Sequence, residues 1–379
     1  MVNSTIVTRP RAYFIGFTDM PIFLLEGDSI TEKGCASPKD ADSTMQVQKQ
    51  VVEALLKSEA YEEEPCHVEM VQTHISYVFL TRNFVYKVKK SVNFGFLDFT
   101  TLEKRRFFCE KELELNRRLC GDMYLEVVPI NKSKTIQIKG QGETVEYALK
   151  MKRMPEEKIM TKLLEEKRVD DILIGQIAKI IAEFHAKAET NKRISDIGSL
   201  ATVKTNWDEN FEQTREFIDR TVSATDFELI RKKIGTFMDK NKPLFDKRVF
   251  EGRVRDCHGD IHSGNIFVTD RIYIFDAIEF NERFRYSDVA ADMAFLAMDL
   301  DFKGRTDLSN FFVKKYVEYS GDQELMKLLL FYKCYRAYVR GKVVGFKIKD
   351  PSVCDKEKKE ATEQAKEYLK LAADYAKRL

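Results

Sequence analysis

The sequence predicts an α+β chain of two lobes, a small β-rich lobe with one long helix followed by a larger, mainly helical lobe. Three observations lead there. Alternating runs rich in β-branched and aromatic residues are concentrated between about residues 68 and 151. Beyond Pro155 the apolar residues recur instead at three- and four-residue spacing, the pattern of amphipathic helices. That helical stretch is interrupted once, by Ile266-Phe267-Val268, Thr269-Asp270-Arg271 and Ile272-Tyr273-Ile274-Phe275, which read as a tight hairpin.

Taken in order, residues 1–44 lack periodicity and read as an extension, flexible or otherwise outside the packed core. From about Gln46, the set Val51, Val52, Leu55 and Leu56 suggests a short helix before the Glu62-Glu63-Glu64-Pro65 break. Ile75 to Leu80 and Phe84 to Lys89 then form two strands joined at Arg82-Asn83. Thr100 with Glu103 three residues on fits a capping box. The helix it opens runs to about Leu119 and stops at Gly121. Further strands are expected over Tyr124 to Ile130, Thr135 to Ile138 and Val145 to Met151. In the second lobe, Leu173, Ile177, Ile180, Ile181 and Phe184 form one helical stripe ending near His185. Residues 206–245, 307–346 and 362–379 are also expected to be helical. The expected division is 1–44 extension, 45–150 β-rich lobe, 151–155 connector and 156–379 helical lobe, with the chemistry at 257–276.

At 379 residues the chain is long enough for a two-lobed enzyme. Lys+Arg 63 against Asp+Glu 61 leaves a formal charge of +2, so nucleic acid and anionic membrane are not expected partners. No apolar run approaches the roughly 18–20 residues that span a bilayer. Met1 to Leu25 offers only short apolar pieces such as Ala12-Tyr13-Phe14-Ile15, which is not the pattern of a secretory signal. The seven cysteines, Cys35, Cys66, Cys109, Cys120, Cys257, Cys334 and Cys354, contain no Cys-x-x-Cys pair and read as small buried thiols of a cytoplasmic protein.

The sharpest local signal is Cys257-His258-Gly259-Asp260-Ile261-His262-Ser263-Gly264-Asn265, followed by Phe275-Asp276. Phosphoryl transfer from a nucleotide needs a carboxylate at the acceptor hydroxyl, oxygen ligands for magnesium and a cation on the phosphates. Asp260 and Asn265 have the five-position separation of a catalytic-loop Asp and Asn. Asp276 ends the hairpin that Asn265 begins, so Asn265 and Asp276 are expected to face one magnesium site. A competing reading takes the alternation His258-x-Asp260-x-His262 as zinc or iron ligands. It leaves Asn265 and Asp276 unexplained and has only His67, His74 and His185 to draw on. A polar turn without chemistry is the other alternative. The cation is expected at Lys87, on the strand Val85-Tyr86-Lys87, with Lys89 and Lys90 as competitors. The helical glutamate that orients it is Glu112, chosen among Glu110, Glu112 and Glu114.

These residues together resemble the aminoglycoside phosphotransferase and choline kinase-like branch of the protein-kinase fold. The resemblance is carried by His258-Gly259-Asp260-Ile261-His262-x-x-Asn265, by Phe275-Asp276-x-x-Glu279-Phe280 and by Asp288-Val289-Ala290-x-Asp292. A wider similarity, over about residues 50–350, is to bacterial and archaeal aminoglycoside-phosphotransferase-like proteins, some with an added P-loop domain. It includes Tyr86-Lys87-Val88-Lys89-Lys90, Phe94-Gly95-Phe96-Leu97-Asp98-Phe99, Leu115-Asn116-Arg117-Arg118-Leu119 and Tyr332-Lys333-x-Tyr335-Arg336-Ala337-Tyr338. It implies a bilobal kinase-like fold and a cytoplasmic kinase using Mg2+ and ATP, with GTP an alternative, to phosphorylate a small-molecule hydroxyl. Asp260 would be the base, Asn265 and Asp276 the metal ligands, and Lys87, paired with Glu112, the phosphate contact. Residues 151–155, Met151 and Arg153 among them, would form the connector whose backbone meets the purine. His258 and Asp288 would support the loop.

Two features depart from the family pattern. Thr73-His74-Ile75-Ser76 stands where a glycine-rich phosphate loop is expected, and no Gly-x-x-x-x-Gly-Lys-Ser/Thr occurs. A nucleotide-binding pseudokinase without turnover is the alternative function, disfavoured by the joint presence of Lys87, Asp260, Asn265 and Asp276. A protein kinase is disfavoured by the missing glycine loop and Ala-Pro-Glu segment. If the acceptor is a polycation such as an aminoglycoside, Glu279, Glu282 and Asp292 are the carboxylates available for it.

Overall fold

A computed structural model describes residues 38–63, 67–350 and 353–379. The expected extension over 1–44 lies outside the described residues up to position 37, as do Cys35 and Cys66. The chain divides into two compact units between Pro155 and Glu156.

Among the described residues of the first unit the first element is α1 (Pro38–Leu55), which starts well before the expected Gln46. Six strands follow, β1 (Glu69–Gln72), β2 (Ser76–Leu80), β3 (Phe84–Lys89), β4 (Tyr124–Lys132), β5 (Ile136–Ile138) and β6 (Glu143–Lys152). They form one antiparallel sheet in the order β1-β2-β3-β6-β4-β5. The long helix α2 (Leu102–Cys120) is inserted between β3 and β4. Its cap is Thr101, whose hydroxyl accepts from Lys104 N at 3.2 Å, and not the expected Thr100. The reason is local. Asp98 Oδ1 accepts both Thr100 N (3.0 Å) and Thr100 Oγ1 (2.6 Å), which holds Thr100 in the loop and passes the cap to its neighbour. Val51, Leu55, Phe79, Tyr86, Val88, Val128 and Ala148 pack into the core between α1 and the sheet.

The second unit contains α3 (Met160–Glu165), α4 (Asp171–Lys187), α5 (Lys192–Ile197), α6 (Leu200–Thr214) and α7 (Ala224–Phe250). The expected helix over 206–245 is therefore two, parted by a turn in which Asp219 takes φ +64° and donates to Val222 O. Then come β7 (Val254–Asp256), the hairpin β8 (Ile266–Val268) and β9 (Ile272–Ile274), α8 (Glu282–Arg285) and β10 (Tyr286–Asp288). The unit closes with α9 (Val289–Phe302), α10 (Thr306–Ser320), α11 (Leu329–Phe346) and α12 (Asp355–Lys377). Helix α9 has no sequence signature of its own. Every residue from Val289 to Leu300 is buried, so no polar face exists to set a period. Trp207 of α6, wholly buried, stacks on Phe211 at 5.2 Å and meets Tyr335 and Tyr338 of α11 edge-on at 5.4 Å. Such aromatic packing fixes α6 against α11.

Among the described residues no helix is long and apolar enough to cross a membrane. Cys109, Cys120, Cys257 and Cys334 are buried free thiols, and Cys354 is exposed.

Candidate active site

The segment 257–265, between β7 and β8, is anchored at its start by one buried carboxylate. Asp292, on the first turns of α9, accepts His258 N at 2.9 Å and Gly259 N at 2.8 Å. Its Oδ2 also meets His185 Nε2 of α4 at 3.0 Å, and His185 Nδ1 in turn meets Tyr316 Oη of α10 at 2.7 Å. Burial would raise the Asp292 pKa, but the His185 hydrogen bond, with the charges of His185, His258 and Arg336, drives it well below the carboxylate range. A fixed anion thus organises two consecutive backbone amides. This corrects the expectation for both acids of the Asp288-x-x-x-Asp292 pair. Asp288 caps α9 through Ala290 N (2.8 Å) and forms a buried bidentate pair with Arg248, which also binds Asp322. Asp288 pairs the elements around the loop and Asp292 grips the loop itself.

Gly259 has φ +89°, and a Cβ there would come within 3.0 Å of Ile278 and 3.2 Å of Phe284 O. Only glycine fits this conformation and approach. The carbonyl of Gly259 accepts from Arg336 Nη1 of α11 at 2.9 Å. Asp260 follows, fully buried, with its amide on His258 Nδ1 at 3.2 Å. Asn265 Nδ2 donates both to Asp260 O (3.0 Å) and to Asp260 Oδ2 (2.9 Å), and His262 Nε2 lies 3.5 Å from the same Oδ2. Ser263 N is anchored on Asp299 Oδ2 of α9 at 2.9 Å.

The β8–β9 hairpin pairs Ile266 with Ile274, and Phe275 N then donates to Asn265 O at 3.0 Å. The first residue past that bond is Asp276, at φ +65°. A non-glycine residue in the left-handed region is uncommon, and aspartate is among those that tolerate it. The kink turns Asp276 out of the strand direction at the end of the hairpin where Asn265 lies. The structure thus brings Asp260 and Asn265 into direct contact and sets Asp276 at the same hairpin end. It does not gather His258, Asp260 and His262 as a metal cluster. Among the described residues, the one group of three such side chains with ligand atoms within 4.8 Å of one another is His185, Cys257 and Asp292. There Asp292 is taken up by two amides and His185, and burial raises the Cys257 thiol pKa far above its ordinary value.

In the first unit, Lys87 and Lys89 sit on one face of β3, and both reach Glu112 of α2. Lys87 Nζ lies 2.8 Å from Oε1 and Lys89 Nζ 2.7 Å from Oε2. Glu112 is completely buried. Burial would raise its pKa, but the two ammonium charges and their hydrogen bonds outweigh that and hold it low. Lys89 also lies over the Phe99 ring, 4.9 Å from its centroid. Met151 is in β6, opposite Val85 and Tyr124. Arg153 directs its amide to Asn83 O and its Nη1 to Thr81 O, both at 2.8 Å. In the β1–β2 turn, Thr73 Oγ1 accepts from Ile75 N (3.3 Å) and Ser76 N (3.0 Å). Those two amides are engaged within the turn, unlike the open amides of a glycine-rich phosphate loop.

Of the carboxylates considered for a polycation, Glu279 is buried, Asp292 is fully taken up, and Glu282 is bound by Arg193 and Tyr286. The sequence reading missed Asp299, Arg336 and the His185–Asp292 pair. Asp292 and Arg336 stand in motifs of the resemblance, but their contacts with the loop, like those of His185 and Asp299, join residues far apart in the chain, and nothing local signals them.

No family model matches the chain. An uncharacterised protein of Mycobacterium tuberculosis (strain H37Rv) is 33% identical over 277 residues, 73% of this chain, and one from Mycobacterium bovis matches to the same extent. The chain spans 54% of the length of these relatives. Among solved structures, an amicoumacin kinase in complex with AMP-PNP and Ca2+ superposes with TM-score 0.50 at 13% identity, over 88% of this chain and 96% of that one. A choline/ethanolamine kinase family protein from Mesorhizobium loti gives TM-score 0.49 at 11% identity, over 87% and 100% of the two chains. The likeness to the amicoumacin kinase shows the fold: this chain has the bilobal, kinase-like α+β fold that the sequence resemblance implies.

Proposed function

We propose that this chain is a small-molecule kinase of the aminoglycoside phosphotransferase and choline kinase-like family, moving the terminal phosphate of ATP or GTP to a hydroxyl. The observation that carries the reading is the double hydrogen bond from Asn265 Nδ2 to the carbonyl and carboxylate of Asp260. It fixes Asp260, and with its amide nitrogen so engaged Asn265 keeps its Oδ1 as an acceptor.

Asp260 is the group that orients the acceptor hydroxyl and takes its proton as the oxygen attacks phosphorus. The buried anchor of Asp292 on the His258 and Gly259 amides keeps that carboxylate in place. Asn265 Oδ1 and the Asp276 carboxylate are hard oxygen donors of the kind Mg2+ prefers, and they would hold it. Bound there, the ion would neutralise the charge on the phosphate oxygens. Lys87, clamped by Glu112, would contact the phosphates, and the backbone of 151–155 the purine. The reading is supported by the fold, by the Asp260–Asn265 geometry and by the lysine–glutamate pair.

The test is Mg2+-dependent ADP or GDP release with a panel of alcohols, comparing the wild type with Asp260→Asn. Turnover that disappears in the variant while Mg-ATP still binds is expected. Equal turnover by Asp260→Asn removes Asp260 from the mechanism. Nucleotide binding without turnover across the panel favours a regulatory module.

A further inference from the structure

The two histidines of the catalytic loop are set by the same local device. His258 Nδ1 accepts the amide of Asp260 at 3.2 Å, and His262 Nδ1 accepts the amide of Gly264 at 3.1 Å, each two residues on. A ring nitrogen that accepts an N–H presents its lone pair, so the neutral His262 ring carries its proton on Nε2. The ring is confined as well as oriented. It packs on the Phe295 ring of α9, 5.3 Å between centroids. Its Cε1–Nδ1 edge lies so close to Gly264 that a Cβ there would stand 2.8 Å from Cε1 and 3.0 Å from Nδ1.

His262 is only 5% exposed, and its Nε2 makes no hydrogen bond. A buried donor without an acceptor is costly and uncommon in folded proteins. Beside it, at 3.5 Å, is Oδ2 of Asp260, the oxygen that Asn265 Nδ2 reaches at 2.9 Å. Asp260 is the one carboxylate within ion-pair distance of His262 among the described residues. Asp299 acts on the ring at longer range and gives its Oδ2 to Ser263 N at 2.9 Å.

We propose that His262 is a positioning residue for Asp260, its Nε2–H closing onto Oδ2 beside Asn265 Nδ2 and fixing the carboxylate for the acceptor hydroxyl. The proposal rests on the phosphotransferase reading and adds a residue to it. A separation of 3.5 Å exceeds the roughly 2.9 Å of an ordinary N–H···O bond. Catalytic hydrogen bonds commonly reach that length only with the reactants in place. With Oδ2 held by an amide and an imidazole, the carboxylate cannot rotate, and the same oxygen faces the acceptor in every turnover. The tautomer also removes His262 as a zinc or iron ligand, because neither of its nitrogens has a lone pair to spare.

The test has a spectroscopic arm and a kinetic arm, both on the full chain. Protein labelled on its histidine nitrogens is studied by nitrogen–proton correlation NMR, with His262→Phe assigning the signals. The expected ring is the Nε2–H tautomer, and its Nε2 proton should exchange faster with solvent in Asp260→Ala. For kinetics, His262→Phe keeps a ring against Phe295 and loses the donor, whereas His262→Gln keeps a donor. His262→Phe should lower kcat at least about tenfold, with the KM and the affinity for the nucleotide unchanged. His262→Gln should restore most of that loss. If His262→Phe does not fold, His262→Leu takes its place.

An Nδ1–H ring, or an Nε2 proton indifferent to Asp260→Ala, overturns the proposal. So does wild-type kcat in His262→Phe, or a His262→Gln as slow as His262→Phe, which would make the ring's bulk its contribution. A nucleotide affinity that falls in step with kcat assigns the imidazole to the phosphates instead. If the wild type turns over no alcohol, the kinase reading fails by itself, and the NMR arm still decides whether His262 holds Asp260.

Discussion

Asn265 bonds twice through one nitrogen to Asp260, once to its carbonyl at 3.0 Å and once to its carboxylate at 2.9 Å. The five-residue spacing therefore closes a small ring of polar atoms, and the side chain at 265 sets the direction of the carboxylate at 260. The consequences differ for the substitutions that break it.

Asn265→Ala should release Asp260 and remove a magnesium donor together. We expect kcat to fall by roughly 100-fold or more and the Mg2+ concentration needed for half-maximal rate to rise. Asp276→Asn should raise the Mg2+ requirement with Asp260 still in place. A magnesium titration of the steady-state rate distinguishes them. Unchanged magnesium dependence in both variants would remove these residues as ligands.

Asp292→Asn keeps the size of the side chain and loses the charge that organises the loop. The amides of His258 and Gly259 should lose hydrogen-exchange protection, and kcat should fall with little change in nucleotide affinity. Exchange measured by mass spectrometry over 257–265 is the check. Undiminished protection would mean that other contacts hold the loop.

The two lysines on β3 should separate by readout. Lys87→Met is expected to weaken nucleotide binding by about tenfold or more. Lys89→Met should mainly lower thermal stability, since Lys89 is buried beneath the Phe99 ring. Nucleotide titration and thermal denaturation of both variants decide it, and the reverse result exchanges their roles.

The depressed Glu112 pKa carries a pH signature. A carboxylate whose folded value is lowered contributes stability above its unfolded value, and loses it as the pH falls through the folded one. Glu112→Gln should cost about 3–5 kcal/mol near neutrality, because it leaves two buried ammonium groups unpaired. Urea unfolding of both proteins from pH 7 downward should show that difference shrinking once the pH drops below about 4. A constant difference would deny the ionised pair its part in stability.

Arg248→Met should destabilise the protein by a similar amount, about 3–5 kcal/mol, by stranding Asp288 and Asp322. Nucleotide affinity in the folded variant should not change. A loss of affinity without a loss of stability would place Arg248 in the site.

The sequence by itself determined the elements with a period and the site with a spacing. Strands β2 and β3, helix α2, the β8–β9 hairpin and the order of the two lobes follow from alternation, capping and turn residues over short range. Asp260, Asn265 and Asp276 were readable because a loop and a hairpin of fixed length tie them together. The tertiary structure alone decided what lies far apart in the chain. It gave the loop anchor to Asp292 over Asp288 and let Glu112 hold both Lys87 and Lys89. It hid α9, whose uniform burial removes any period, and it paired Lys333 of α11 with Asp301. Local pattern encodes backbone geometry, whereas the pairing of buried charges depends on which distant side chains packing brings within a few ångströms.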